Sequence, residues 1–217
     1  MATTSPPDLS TLLTLAHDRS EAGRAQLADA LAGMFWQDTF ALSAQQEELL
    51  NDIVTEIIRH SASTVRGHLA ERLAKASKVP RRLLMTLAAD HIDVAAPVLT
   101  YAEALSDGDL INIVTGHSTD HAAAIARRKA VSEAVADALI TTGDVGVMEL
   151  VATNMGAKIS PKGMLVLAEA ARFTATLRGP VMQRPELSAD AATKIYWWLS
   201  AEARRSVLKK FNIQSGL

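Results

Sequence analysis

The sequence of 217 residues contains no cysteine. Disulfide bridges and cysteine-ligated zinc sites are therefore excluded, and the composition suits the reducing cytoplasm, where we expect the protein to reside. Aromatic residues are also scarce, at 4%, although apolar residues make up 48% of the chain. Alanine and leucine supply much of that apolar content, which favours helices because both residues enter a helix at little entropic cost.

Long apolar runs and a large excess of one charge are missing as well. No run approaches the ~20 apolar residues that cross a bilayer, and the N terminus lacks the basic and apolar regions of a secretory signal. We therefore expect no association with a membrane. The formal net charge is -2, whereas proteins that hold DNA mainly through its phosphates usually carry a basic excess. The charge argues against nucleic-acid binding unless a local basic patch provides it.

Known catalytic signatures are absent from the sequence. The 11 glycines are scattered and form no phosphate-binding G-x-x-x-x-G-K-[ST] loop, and no serine stands in a G-x-S-x-G motif. The paired acids Asp107 and Asp109 are most simply explained as residues at the start of a helix. We therefore predict a protein that is not an enzyme, with no catalytic residue, no cofactor and no small-molecule substrate.

What the sequence does contain is a repeated signal, an aliphatic residue followed by Ser or Pro at the start of a helical stretch. Successive copies are 26, 26, 28 and 28 residues apart. They are Val79-Pro80, Leu105-Ser106, Val131-Ser132, Ile159-Ser160 and Leu187-Ser188. Ser is a good N-cap, and an aliphatic residue before it can form a hydrophobic staple. The segment SDGD at 106–109 also resembles a capping box.

A second signal alternates with the first, because Asp93, Asp120 and Asp144 each precede an apolar segment and could act as N-caps. Gly116 and Gly143 fall where helix C-caps are expected. Each unit of 26–28 residues is therefore interpreted as a pair of helices. A pair this short cannot bury its own apolar faces, and stacking on neighbouring pairs would bury them.

The periodicity predicts an all-α fold, a right-handed α-α superhelix of the HEAT/armadillo kind in a single domain over 1–217. An N-terminal helical cap would cover 8–64, with helices over 8–18, 20–36 and 43–60. Helix-pair repeats would cover 65–190. A C-terminal capping helix would occupy 191–217, with one long helix over 192–211.

Four segments resemble the bacterial domain-of-unknown-function family 2336, which is found mainly in alphaproteobacteria. They are VRGHLAERLAKASKVPRRLLMTLAAD, VAAPVL with LSDGDLINIV, IARRKAVSEAVADALITTGD and RPELSADAATKIYWWLSAEARRSVL. The resemblance covers the chain from about Leu9 to Phe211. It implies a HEAT- or armadillo-like helical repeat protein and brings no established activity or catalytic residues.

His117 and His121 are the strongest candidates for a metal site. On one continuous helix, residues four apart share a face and could bind a metal together. The repeat pattern instead starts a new helix at Asp120, so the two histidines fall on either side of a turn. We predict no metal site, and a metal-dependent activity at this pair stays open as an alternative.

The adjacent rings of Tyr196, Trp197 and Trp198 form the only aromatic cluster of this density. Neighbouring residues on a helix point about 100° apart, so we expect two rings to be buried and one to be partly exposed. The cluster could close the core at the end of the stack. Alternatively, an exposed Trp could anchor a partner, and we choose Trp198 for that role.

Basic residues cluster at Arg127, Arg128 and Lys129, and again at 81–82 and 204–210. HEAT-like DNA glycosylases hold duplex DNA on a concave basic surface, so a stripe of such cations would indicate nucleic-acid binding. The matching positions of later units, in VATNMGAKIS and VMQRPELS, are mostly uncharged. The cations could also be solvated turn residues or a patch for an acidic protein.

We therefore predict a non-catalytic scaffold or regulatory adaptor that binds another protein. The expected partner-binding residues are Arg127, Arg128, Lys129 and Trp198. The alternative is a nucleic-acid-binding or DNA-repair-like protein that uses a concave basic face.

Overall fold

The computed structural model describes residues 20–34, 60–76 and 79–211, together with positions 15, 45, 48, 52 and 55. These residues form twelve α-helices and one 3-10 helix, and none of them belongs to a β-strand. The predicted all-α class is confirmed. The helices that we predicted over 8–18 and 43–60 lie outside the described residues, apart from isolated positions.

The chain separates into two compact units, Met1–Asp109 and Leu110–Leu217. The described helices of the first unit are α1 (Glu21–Met34), α2 (Ser63–Leu73), α3 (Arg81–Ala88) and α4 (Ile92–Tyr101). The boundary falls within α5 (Asp107–Gly116). The second unit continues with α6 (Thr119–Ala126), α7 (Glu133–Thr141), α8 (Val145–Thr153), α9 (Pro161–Phe173), α10 (Ala175–Gln183), α11 (Ala189–Ile195), the 3-10 helix Tyr196–Trp198 and α12 (Ala201–Lys210).

The repeated aliphatic-Ser/Pro signal marks helix starts as predicted. Its aliphatic member is buried in all five copies. In all four copies that carry Ser, the Ser hydroxyl accepts a hydrogen bond from the backbone N–H three residues later: Ser106 from Asp109, Ser132 from Val135, Ser160 from Gly163 and Ser188 from Ala191. Ser106 and Asp109 form the predicted capping box, because each side chain accepts a hydrogen bond from the other residue's backbone N–H.

The second signal is confirmed at one position and wrong at two. Asp144 is the N-cap of α8, and its carboxylate accepts a hydrogen bond from the N–H of Val147 at 2.9 Å. Asp93 and Asp120 lie inside the first turns of α4 and α6, after the N-cap residues His91 and Ser118. Their carboxylates still lie near the positive end of the helix dipole, so an Asp at the start of the first turn and an Asp at the N-cap give similar sequence patterns.

The two glycines that we expected at helix C-caps behave differently. Gly143 follows α7 with a φ of 74°, the left-handed conformation that favours glycine at this position. Gly116 is the last residue of α5 and therefore lies within that helix.

In the first unit, α2 packs against α1, α3 and α4. Two arginine–carboxylate pairs also link elements of this unit. Arg66 on α2 donates two hydrogen bonds to Asp90, at 2.7 and 2.9 Å, and Arg81 at the start of α3 holds Asp109 in the same bidentate way. Hydrogen bonds from Arg81 and Ser106 hold the pKa of Asp109 well below its usual range, against the opposing effect of burial.

In the second unit, helices of the same type stack on one another. The first helices of successive pairs are in contact, α7 with α9 and α9 with α11. The second helices do the same, α6 with α8 and α8 with α10. Helices of 7–13 residues are marginal in isolation, so this packing supplies most of their stability.

A side chain in the turn after α8 fastens it to the turn after α6. The Nδ2 of Asn154 donates to the carbonyl oxygens of Ala126 and Arg128, at 2.8 Å each. Beside this contact, Val131 and Ala157 form an isolated parallel bridge. Gly156 lies so close that a Cβ there would stand 2.0 Å from the carbonyl oxygen of Lys129.

Arg184 makes the same kind of contact one helix pair later, in the turn after α10. Its guanidinium donates to the carbonyl oxygens of Asn154 and Ala157, at 2.8 and 2.5 Å, and pairs with Glu186 at 2.7 Å. Lys210 at the end of α12 then donates to the carbonyl oxygen of Arg184, at 2.9 Å. Three side chains therefore connect four successive turns or helix ends.

The prediction of one long helix over 192–211 is wrong. Helix α11 ends at Ile195, a single 3-10 turn follows, and Leu199 is extended with a ψ of 153°. Ser200 then starts α12 as an N-cap, with its hydroxyl accepting from the N–H of Ala203 at 3.2 Å. The helix is interrupted there because Leu199 is buried in an extended conformation and Ser200 caps the start of the next helix.

Among the described residues, no helix combines the length and the apolar character needed to cross a bilayer.

We predict that Gly156→Ala strongly destabilises the protein. The new methyl group would overlap the backbone of Lys129, which cannot move without separating the two turns. Urea denaturation should show a loss of about 2 kcal/mol or more in the free energy of unfolding. Gly116→Ala is the control, because a Cβ there meets open space, and its stability should be unchanged or slightly higher. Equal midpoints for the two variants would contradict this account.

We predict that Asp109→Asn destabilises the protein at neutral pH and much less in acid. Because the folded pKa of Asp109 is lowered, its contribution is complete above the unfolded pKa of about 3.9 and disappears as the pH falls through the folded value. Urea midpoints of variant and wild type should therefore converge as the pH falls below about 4. Asp107→Asn, at the exposed neighbouring acid, should show a smaller and flatter difference.

Candidate functional site

The predicted basic turn of Arg127, Arg128 and Lys129 follows α6. Arg127 and Lys129 are exposed, whereas Arg128 is half-buried. The backbone of the turn is fixed, since Asn154 binds two of its carbonyl groups and Val131 pairs with the chain near Ala157. The exposed cations therefore stand on a rigid support.

The cation in the turn after α10, two repeats later, does not extend this basic surface. Arg184 is 1% exposed, and its donors are used by two main-chain carbonyls and by Glu186. Burial raises the pKa of Glu186, but the hydrogen bonds and charge of Arg184 outweigh that effect and hold the pKa below its usual value. A buried cation with these partners has a structural role.

The two candidate metal ligands lie on either side of a helix start, as predicted. His117 precedes α6 and His121 lies within it, with ring centroids 5.2 Å apart. The Nδ1 of His121 is 2.8 Å from the hydroxyl of Ser118, and its ring is buried. Within the described ranges, no group of three or more His, Asp or Glu residues is arranged to hold a metal ion.

The aromatic residues of the described chain all reach the surface, and the core is built from aliphatic side chains and methionine. Five of these six aromatic residues fall within the last 45 described residues. They are Phe173, Tyr196, Trp197, Trp198 and Phe211, and the sixth is Tyr101 on α4. Such a distribution is unusual, because aromatic side chains normally contribute strongly to cores.

The expectation that two of the three adjacent rings are buried is wrong. Trp197 is 66% exposed, Trp198 is 39% exposed and Tyr196 is half-buried. The reason is the 3-10 turn, which directs the rings away from the core while Ile195 and Leu199 on either side fill it.

Two arginines hold these exposed rings in place. The Nε of Arg204 donates to the carbonyl oxygen of Tyr196 at 3.1 Å, and its Nη2 donates to that of Trp197 at 2.6 Å. The same guanidinium stands over both rings, at 5.6 and 5.7 Å from their centroids. Arg172 stands 4.7 Å from the ring of Trp198 and 5.3 Å from that of Phe173. Cation–π contacts of this kind contribute about 0.5–1 kcal/mol each at exposed sites.

We name the set of Phe173, Tyr196, Trp197 and Trp198, with Arg172 and Arg204, the aromatic–arginine surface. A groove of about 520 Å³ opens beside it, between α10 and α12. Trp198, Leu199 and Met182 give the groove apolar walls, and the small residues Gly179 and Ala203 leave it open. A groove of this volume can accept one or two large side chains.

A family model for uncharacterised proteins conserved in bacteria, domain of unknown function 2336, matches residues 94–217. The chain belongs to this family. The match contains the basic turn, the aromatic–arginine surface and three of the four segments that carried the resemblance. It begins after the first segment, VRGHLAERLAKASKVPRRLLMTLAAD. No curated protein and no solved structure matches the chain.

The sequence-based prediction chose Trp198, although two other members of this surface are more exposed. Trp197 is the more exposed of the two tryptophans, and Phe173 is 79% exposed. A signal was present in Leu199-Ser200, a further copy of the aliphatic-Ser pair. This pair predicts that the preceding helix ends before Leu199, so the three rings need not follow α-helical spacing. Nothing in the sequence indicated that Arg172 would stand over Trp198.

We predict that Arg204→Lys loosens the 3-10 turn. Lysine cannot reproduce the planar pair of hydrogen bonds to the carbonyls of Tyr196 and Trp197. Hydrogen–deuterium exchange by mass spectrometry should show faster exchange in residues 196–200, with the rest of the second unit unchanged. Arg205→Lys changes the exposed neighbour in the same way and should leave the exchange of this segment at the wild-type rate.

Proposed function

We propose that the protein is a non-catalytic helical-repeat adaptor that binds another protein through the aromatic–arginine surface. One observation carries the proposal: the second unit exposes Trp197, Trp198 and Phe173 together and holds them with arginine side chains. Trp, Tyr and Arg are the residues that most often dominate binding energy at protein interfaces.

The energetics favour a protein partner for this surface. An aromatic side chain buries about 150–250 Å² when covered, which corresponds to several kcal/mol at about 25 cal/mol per Å². That free energy is gained only when a partner removes the rings from water. Arg204 already fixes the backbone of Tyr196 and Trp197, so less conformational entropy is lost on binding.

Nucleic-acid binding, the alternative from the sequence, has weaker support. Arg204 and Arg178 donate to main-chain carbonyls, and Arg184 is buried against Glu186. These guanidinium groups have fewer donors left for phosphates. Arg127 and Lys129 are exposed, and two cations in one turn are a small electrostatic footprint for DNA.

We also propose that the helix pairs belong to a right-handed HEAT- or armadillo-like superhelix and that the adaptor acts in the bacterial cytoplasm. The packing of each helix on its equivalent one repeat later, as in α7 with α9 and α8 with α10, supports the first part. The lack of cysteine agrees with the second. A HEAT-like solenoid offers extended faces for a protein ligand.

We predict that Trp197→Ala abolishes capture of the partner. Full-length protein would be cross-linked in a lysate of the source organism and the captured proteins identified by mass spectrometry. The recovery of a partner should fall about tenfold or more in the variant, as expected for an anchor residue. Tyr101→Ala is the matched control, because it removes an exposed ring in the first unit and should leave capture unchanged.

The double variant Arg127→Glu/Lys129→Glu tests the basic turn in the same assay. If it abolishes capture while Trp197→Ala does not, the partner is bound by the basic turn and the assignment of the aromatic–arginine surface is wrong. If the wild type captures no protein but retains DNA tightly and in a salt-sensitive manner, the adaptor function itself is wrong.

A further inference from the structure

The elements that border the groove carry an excess of positive charge. Residues 175–210 contain seven Lys or Arg residues against three Asp or Glu residues, in a chain with a net charge of -2. Helix α12 contributes most of the excess, with Glu202 as its one acid. Arg205 and Lys209 on this helix are exposed. The two helices that border the groove, α10 and α12, therefore hold five Lys or Arg residues and one acid, whereas the rest of the chain is acidic on balance.

The interior of the groove has a different character. Met182, Leu199 and the ring of Trp198 line it, and Ala203 contributes only a methyl group. Arg178 also lines the groove, but its Nε and Nη2 donate to the carbonyl oxygens of Ala171 and Arg172, at 3.0 Å each. The apolar interior suits a large apolar side chain, and the net positive charge of the two bordering helices suits negative charges beside it.

We propose that the groove between α10 and α12 binds a short acidic segment of a partner protein, anchored by an aromatic or long aliphatic side chain. The inference rests on the proposed adaptor function and adds the chemical class of the ligand. The positive charge of α10 and α12 would guide the segment and select against basic competitors. The apolar anchor, which inserts beside Trp198, would supply most of the affinity.

An oligonucleotide is the other polyanion that could meet this surface, since bases stack on exposed aromatic rings. The groove favours a peptide, because its interior is shaped by Met182, Leu199 and Ala203 and offers few free donors for phosphates. The two ligand classes can be distinguished by the apolar anchor of the ligand: a peptide that lacks it should bind more weakly, whereas an oligonucleotide has no such anchor.

The test measures binding of fluorescein-labelled probes to the full chain by fluorescence anisotropy. The first probe is a short Asp/Glu-rich peptide that contains Leu and Phe. The second replaces each acid by Lys, the third replaces Leu and Phe by Ser, and the fourth is a single-stranded oligonucleotide. The acidic peptide with apolar residues should bind more tightly than the other three. The proposal is overturned if another probe binds as tightly or if none binds.

Variants of the groove then test each part of the site. Ala203→Leu fills the interior with a residue of similar helix propensity and should weaken the acidic peptide about tenfold or more. Ser206 lies exposed at the rim. Ser206→Glu should weaken the acidic peptide about two- to fivefold, and Ser206→Lys should strengthen it. The same direction of change for both charges would contradict attraction between the positively charged helices and the acidic peptide, and unchanged melting temperatures would show that the variants fold.

The outcome is separable from that of the proposed function. If a partner is captured in a Trp197-dependent manner but the acidic peptide neither binds nor displaces it, the adaptor function stands and the ligand class assigned to the groove is wrong. If the peptide binds but no partner is captured, the groove is acid-selective and the adaptor function fails.

Discussion

Short helices end often, and each end leaves main-chain carbonyl groups that need hydrogen-bond donors. The second unit meets this need with one side chain per turn: Asn154 reaches back to the turn after α6, Arg184 reaches back to Asn154, and Lys210 reaches back to Arg184. The guanidinium of Arg184 is central to these three contacts, because it is fully buried and forms an ion pair with Glu186. Removing one partner of such a pair would leave the other charge buried without compensation.

This use of cations explains which of them are available for binding. Arg184, Arg178 and Arg204 satisfy carbonyl groups at helix ends, so their position follows from the fold. The cations left on the surface include Arg127 and Lys129 after α6 and Arg205 and Lys209 on α12. A count of basic residues in the sequence therefore overstates the basic surface, and the difference depends on which carbonyl groups the helices leave open.

The sequence predicted helix starts well, because an N-cap and its staple are local: Ser160 and Gly163 are three residues apart, and their hydrogen bond needs no knowledge of the fold. It predicted the C-terminal region poorly. The pair Leu199-Ser200 carries the same local signal, but it lies twelve residues after Leu187 and outside the period of the other copies. The prediction followed the period of the repeats and not the local signal, so it placed one continuous helix where α11 and α12 are separate. The role of Arg184 depends on contacts 27 and 30 residues away, which no local pattern reveals.

The aromatic–arginine surface follows from the same short-helix design. Side chains such as Ile195 and Leu199 are sufficient to fill the space between helices this closely packed, and the described core contains no Phe, Tyr or Trp ring. The large rings are therefore not needed for folding, and exposing Trp197 forfeits the free energy that its burial would provide. Arg204 still fixes the backbone beneath that ring with two hydrogen bonds. A ring that is exposed and held in place stabilises the free protein little, and it is most useful when another molecule covers it.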